Sequence, residues 1–103
     1  ILGATFKENC PDVRNSKSHD LFKIFKKNGF NCSVYDPIAD PKDIRKIYPK
    51  DVIKKINQIY DVVIIAVGHD NFINIDFNFF SNKKTIIFDV KSIFPISKGY
   101  LRL

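Results

Sequence analysis

The chain has 103 residues, 45% of them hydrophobic, which allows one modest core and is too apolar for a disordered segment. Its longest strictly apolar run, Val62 to Val67, is far too short to cross a bilayer, and no basic-then-apolar leader is recognisable, so neither membrane insertion nor secretion is expected. Seventeen Lys and Arg against eleven Asp and Glu leave a charge of +6, which suits an anionic partner (a phosphate-bearing small molecule, a nucleic acid, an anionic surface) or simply a well-solvated lysine-rich exterior.

Ile1 to Thr5 reads as a short buried strand. The connector behind it, Phe6 to Asn15, exceeds the roughly two to six residues of an ordinary strand-to-helix turn and carries Lys7, Glu8, Asn9 and Arg14. Long connectors at strand ends are where α/β folds usually bind ligands. Asn15 or Ser16 is expected to cap a helix running to about Asn28, with Ser18, Leu21, Phe22 and Phe25 on one face and Ile24 at its edge. Lys26 and Lys27 complement the carbonyl end of that helix, and Gly29 supplies its left-handed stop.

Asn31 to Tyr35 is the next expected strand, after which Asp40 caps a short helix with Pro41 at its first position and Pro49 beyond its end. Asp51 to Ile59 shows helical spacing, with Val52, Ile53, Ile56 and Ile59 on one side. The segment DVVIIAVG is apolar on both faces, as a central parallel strand should be. Asp70 is expected to cap a brief helix, Thr85 to Val90 to form the last clear strand, and the tail to be irregular with one short extended piece.

Alternating strands and helices predict an α/β chain. The expected form is a single three-layer, Rossmann-like domain over residues 1–103, with a mainly parallel sheet of four to five strands and helices on both faces; a fifth strand has room in 45–52 or in the tail. Such a sheet delivers its loops to one rim, at the carboxyl ends of its strands. Phe6, Lys7, Asp36, Gly68, His69 and Lys91 belong to that rim, and Arg14 lies just ahead of the first helix. Lys7, Arg14 and Lys91 together have the make-up of a phosphate or diphosphate site, against the plainer reading that three of seventeen cations fall there by chance.

Other chemistries find little support. Neither G-x-G-x-x-G nor a Walker loop occurs, so the first helix is a poor cradle for a whole dinucleotide. His19 and His69 stand alone in sequence and read as surface or capping residues, and no metal site is expected. Cys10 precedes a proline with no histidine near it in sequence, and no catalytic residue is assigned. With Cys32 it is expected to be a reduced thiol, as in a cytoplasmic protein. Asp36, Asp89 and Asp12 read as turn and loop anchors, with a pairing of Asp12 to Arg14 or Lys17 left open. Most of the phenylalanines fall at core spacing, which argues against a nucleic-acid binder. A chain without methionine that begins inside a strand is expected to be part of a longer protein.

The segments GATFKENCPDVRNSK, VYDPIADP, DVVIIAVGHDNF and IIFDVKSIF, in that order, resemble the C-terminal domain of the UDP-glucose/GDP-mannose dehydrogenase family, and TFKENCPDVRNSK resembles its UDP-N-acetylhexosamine branch. The resemblance implies an NAD-dependent nucleotide-sugar 6-dehydrogenase that oxidises a UDP-sugar to its uronic acid for polysaccharide synthesis. It further implies a Rossmann domain for NAD and a central dimerising helix upstream, a homodimer, and a catalytic cysteine motif that these residues lack, so that they alone would be inactive. It assigns Phe6, Lys7 and Lys91 to the UDP-sugar and Arg14 to the NAD of the neighbouring domain. Lys91 stands where the UDP-glucose enzymes carry arginine, a point charge in place of a planar fork. A self-contained α/β module for a nucleotide or a protein partner, without catalysis, is the alternative.

Overall fold

A computed structural model describes residues 1–103, and it is an α/β chain built on a three-stranded parallel sheet. The strands are β1 (Val62–Ile65), β2 (Ile86–Asp89) and β3 (Leu101–Arg102), hydrogen-bonded in that order, and β3 supplies the extended piece expected in the tail. The helices are α1 (Lys17–Lys27), α2 (Pro41–Ile47) and α3 (Asp70–Ile73), with 3₁₀ turns at Phe77–Phe79 and Ile96–Lys98.

Three strands stand where four to five were expected, because the first two predicted strands shrink to single contacts. Leu2 makes parallel bridges to both Tyr35 and Ile65, and Val34 bridges Val52. The backbone explains the reduction at Gly3, whose φ of +97° takes the chain out of extended geometry right after Leu2. The helix expected over 51–59 does not form. Instead Val34 donates its N–H to Asp51 (2.9 Å) and accepts from Ile53 (2.8 Å), so the sheet edge takes the groups that a helix would have used. Tertiary pairing here overrides a spacing that satisfies both readings.

Local chemistry sets the ends of the first two helices. Ser16 caps α1 and accepts from the N–H of Ser18, Asn28 closes it, and Gly29 follows at φ +86°. Asp40 caps α2 by accepting from Lys42 and Asp43, with Pro41 at the first position. His69, and not Asp70, occupies the N-cap position of α3, although its side chain makes no capping bond.

The core has two parts. Leu2, Val63, Ile65, Phe72, Phe77, Phe80 and Phe94 form one, and Ala4, Val13, Phe22, Val34, Ala39, Ile44 and Tyr48 the other. Adjacent residues divide between them: Ile1 packs with the second and Leu2 with the first, Val34 with the second and Tyr35 with the first. Alternation along an extended chain therefore puts the two clusters on opposite sides of the sheet, one under α1 and α2, the other under α3 and the Phe77–Phe79 turn.

Tyr48 is the least settled member of the core. It is buried, with its ring edge-on to Phe22 (4.9 Å between centroids), and its hydroxyl has no partner. Burial pushes its ionisation above the usual tyrosine range. Removing an unpaired buried hydroxyl relieves a desolvation cost, so Tyr48→Phe is expected to gain about 1 kcal/mol of stability, read as a higher urea midpoint. A lower midpoint would mean that the hydroxyl is satisfied in solution.

Candidate functional site

The carboxyl rim of the sheet is assembled around a buried histidine. The His69 side chain is completely buried, as is that of Asp36, and its Nε2 lies 2.9 Å from Asp36 Oδ2 and 3.2 Å from Thr5 Oγ1. Its Nδ1 accepts the backbone N–H of Asn9 at 2.8 Å. A backbone N–H can only donate, so the ring proton resides on Nε2 and the imidazole is neutral. His69 thus belongs to the interior, which corrects the expectation of a surface residue; it stands at the N-cap position of α3, but its ring is spent on Asp36, Thr5 and Asn9 and not on capping. His19 is half-buried and lies edge-on to Tyr48, 5.5 Å between ring centroids.

Asp36 does more than anchor its own loop. Its Oδ1 accepts from Ile38 (2.8 Å) and Ala39 (2.9 Å), and its Oδ2 from Ala4 (2.7 Å) and His69. Burial alone would raise its ionisation; the bonds from His69, Ala4, Ala39 and Ile38 outweigh that and hold it below the ordinary carboxylate value. Three loops, after Leu2, after Tyr35 and after β1, are tied together in this way. Asp89 plays the smaller part expected of it, accepting from Ile93 (3.1 Å) and Phe94 (2.9 Å) to fold the loop after β2.

The four residues singled out from sequence all stand at the surface of this rim. Phe6 is 58% exposed, and Lys7, Arg14 and Lys91 are exposed. The connector doubles back on itself through the N–H of Phe6 to the carbonyl of Asp12 (2.7 Å), and Lys7 is held through its carbonyl by the Thr5 hydroxyl (2.9 Å). Arg14 grips Asp12 with two parallel bonds of 3.0 and 2.9 Å, and this guanidinium holds the Asp12 carboxyl down to about 2. The rest of the fork faces solvent, the side chain being 84% exposed. Lys91 reaches the same rim from β2: its Cβ lies 3.4 Å from where a side chain on Gly68 would begin, next to His69.

Backbone geometry marks the same three cations. Non-glycine residues with positive φ are Asn9 (60°), Asn15 (57°) and Ser92 (54°). Arg14 and Lys91 immediately precede the second and third, and Lys7 precedes the first by two positions. Left-handed backbone outside glycine costs energy and clusters at ligand-binding turns. Short polar side chains bear it best.

His69 and Asp36 escaped the sequence reading as a pair. The available signals were position only: Asp36 before Pro37 at one strand end, and His69 just past the most apolar strand. No three of His, Cys, Asp and Glu approach one another closely enough to hold a metal ion. The apolar groove of about 340 Å³ lies away from this chemistry, lined by Ile1, Cys32, Tyr60 and Val62 at the amino ends of the extended segments. No helix is long and apolar enough to cross a membrane.

The chain matches known proteins along most of its length. A family model described as the UDP-glucose/GDP-mannose dehydrogenase family, UDP binding domain, matches residues 1–96. The chain is similar to a UDP-N-acetyl-D-glucosamine 6-dehydrogenase of Salmonella typhi, with 36% identity covering 100% of this chain and 25% of that protein. It is similar to protein CapL of Staphylococcus aureus, with 38% identity over 90% of this chain and 23% of that one. A UDP-N-acetyl-D-mannosamine dehydrogenase of Methanococcus maripaludis shares 33% identity over 90% of this chain and 22% of its own length. The chain therefore spans about a quarter of the length of the curated relatives it matches.

Proposed function

The chain belongs to the UDP-glucose/GDP-mannose dehydrogenase family, whose UDP binding domain it matches over residues 1–96, and from that membership we propose that residues 1–103 are the C-terminal, UDP-sugar-binding domain of a longer NAD-dependent nucleotide-sugar 6-dehydrogenase. The protein would oxidise a UDP-N-acetylhexosamine, or a UDP-hexose, to the uronic acid for polysaccharide synthesis. An upstream NAD-binding domain and a dimerising helix would complete it in the cytoplasm as a homodimer.

The observation that carries the reading is the coincidence of cation and left-handed turn at Lys7–Asn9, Arg14–Asn15 and Lys91–Ser92. Three exposed positive side chains are each presented by a costly turn beside the strands' carboxyl ends, where α/β sheets take nucleotides. The bridges support the same fold: read as strands, Val52, Val34, Leu2, β1, β2 and β3 follow the doubly wound order, all parallel. Phe6, Lys7 and Lys91 would meet the UDP-sugar, Lys7 and Lys91 supplying charge to its diphosphate and Phe6 an exposed apolar face. The unengaged side of the Arg14 fork fits an anionic group such as the diphosphate of NAD. NAD, when bound, supplies the hydride acceptor; these residues bind and orient.

Turnover in the protein carrying this chain tests the assignment. A UDP-N-acetylhexosamine should yield NADH, and Lys7→Ala should raise KM or abolish turnover. A charge-assisted contact shielded from water contributes about 1.5–3 kcal/mol, roughly 10- to 150-fold in binding. Full activity in Lys7→Ala would remove Lys7 from the site. A module without catalysis would instead yield no NADH and show no preference for UDP over other nucleotides in calorimetric titration.

A further inference from the structure

The turn that carries Lys7 is fixed from both sides by groups that face inward. Thr5 holds the Lys7 carbonyl (2.9 Å), His69 Nδ1 holds the Asn9 N–H (2.8 Å), and the Asn9 side-chain oxygen accepts from the N–H of Asp70 (3.0 Å). Asn9 itself sits at φ 60°, a conformation that persists only where neighbours determine it. His69 is the one side chain hydrogen-bonded both to this turn and to the buried carboxylate, and it takes opposite roles at its two nitrogens: acceptor toward Asn9, donor toward Asp36.

We propose that His69 is a positioning residue for nucleotide-sugar recognition, whose Nδ1 holds the Lys7–Asn9 turn in the form that leaves the Lys7 ammonium free to meet a diphosphate. The proposal deepens the function given above and rests on it. A turn ordered before the ligand arrives spares the complex the entropy of ordering it. Loss of one buried hydrogen bond of this kind converts to about tenfold in affinity.

A merely structural histidine and a positioning one respond differently when the two ring nitrogens are replaced separately. In His69→Gln the side-chain amide reaches the level of Nε2 and keeps a donor toward Asp36, but offers nothing to Asn9. In His69→Asn the side-chain oxygen stands at the level of Nδ1 and keeps the acceptor, but loses Asp36. UDP is the probe, titrated calorimetrically into the full-length protein that carries this chain and into each variant. The coupling across the hydrogen bond from the Asn9 nitrogen to His69 Nδ1, read by NMR in the wild-type chain, reports the contact itself.

Positioning predicts that His69→Gln weakens UDP binding about tenfold, while His69→Asn loses stability yet binds UDP within about twofold of wild type. Replacement of the Glu8–Asn9 amide by an ester removes that N–H, leaves both side chains in place and weakens only the Glu8 carbonyl, which accepts no hydrogen bond within the chain, so it should reproduce the His69→Gln loss; it carries the test if His69→Gln does not fold. Wild-type UDP affinity in His69→Gln or in the ester overturns the proposal and leaves the UDP site standing. So does a loss in His69→Asn as large as its loss of stability, because affinity would then follow the fold. A full-length wild-type protein that shows the coupling but does not bind UDP overturns the functional reading, and this proposal with it.

Discussion

Asp36→Ala is expected to cost the fold about 4 kcal/mol or more, seen as a collapse of the urea midpoint at neutral pH. The alanine would orphan four donors at once: the N–H groups of Ala4, Ile38 and Ala39 and the Nε2–H of His69. Each unpaired buried donor costs about 1–3 kcal/mol, and even a partial sum is large against a total stability of about 5–15 kcal/mol. Asp36→Asn should fare little better despite its shape, since its amide would turn a donor toward donors. A midpoint within error of wild type in Asp36→Ala would mean that water replaces the carboxylate and that the rim is not knitted through it.

The same carboxylate sets an acid limit. Its folded ionisation lies below its unfolded one, so its contribution is complete above the unfolded value, about 4, and is lost as pH falls through the lower folded value. Wild-type stability should therefore drop on acidification below about pH 4, and Asp36→Asn should remove part of that dependence.

Gly3→Ala carries the second large effect. A Cβ at Gly3 would lie 2.6 Å from the Val67 Cβ and 2.8 Å from its backbone nitrogen, and the residue's φ of +97° is one that side chains rarely adopt. Overpacking costs about 1–3 kcal/mol and the backbone strain a similar amount, so a loss of about 2–6 kcal/mol is expected. Thermal unfolding followed by circular dichroism decides it, and a melting temperature equal to wild type would show that the two segments can part without cost.

The helices were legible because their ends are written in single residues: Ser16 and Gly29 for α1, Asp40 and Pro41 for α2. The strand β1 announced itself by composition. Residues 51–59 misled because Val52, Ile53 and Ile56 fit a helix by spacing, while the partner that claimed residues 51–53, Val34, is distant in sequence. Topology alone places Lys7 and Lys91 after strands and so on one rim. Which ligand each meets does not follow from topology. The buried hub was illegible for a physical reason: a lone histidine acquires its environment from Thr5, Asn9 and Asp36, three contributions from two remote segments.

The sheet is stitched unevenly, with a ladder joining β1 to β2 and single bridges holding Leu2 and Val34. Mechanically that makes one flank stiff and the other compliant. Lys91 follows the stiff flank, whereas Lys7 follows the compliant one, where the crosslinks through His69 and Asp36 supply the rigidity that the thin ladder lacks.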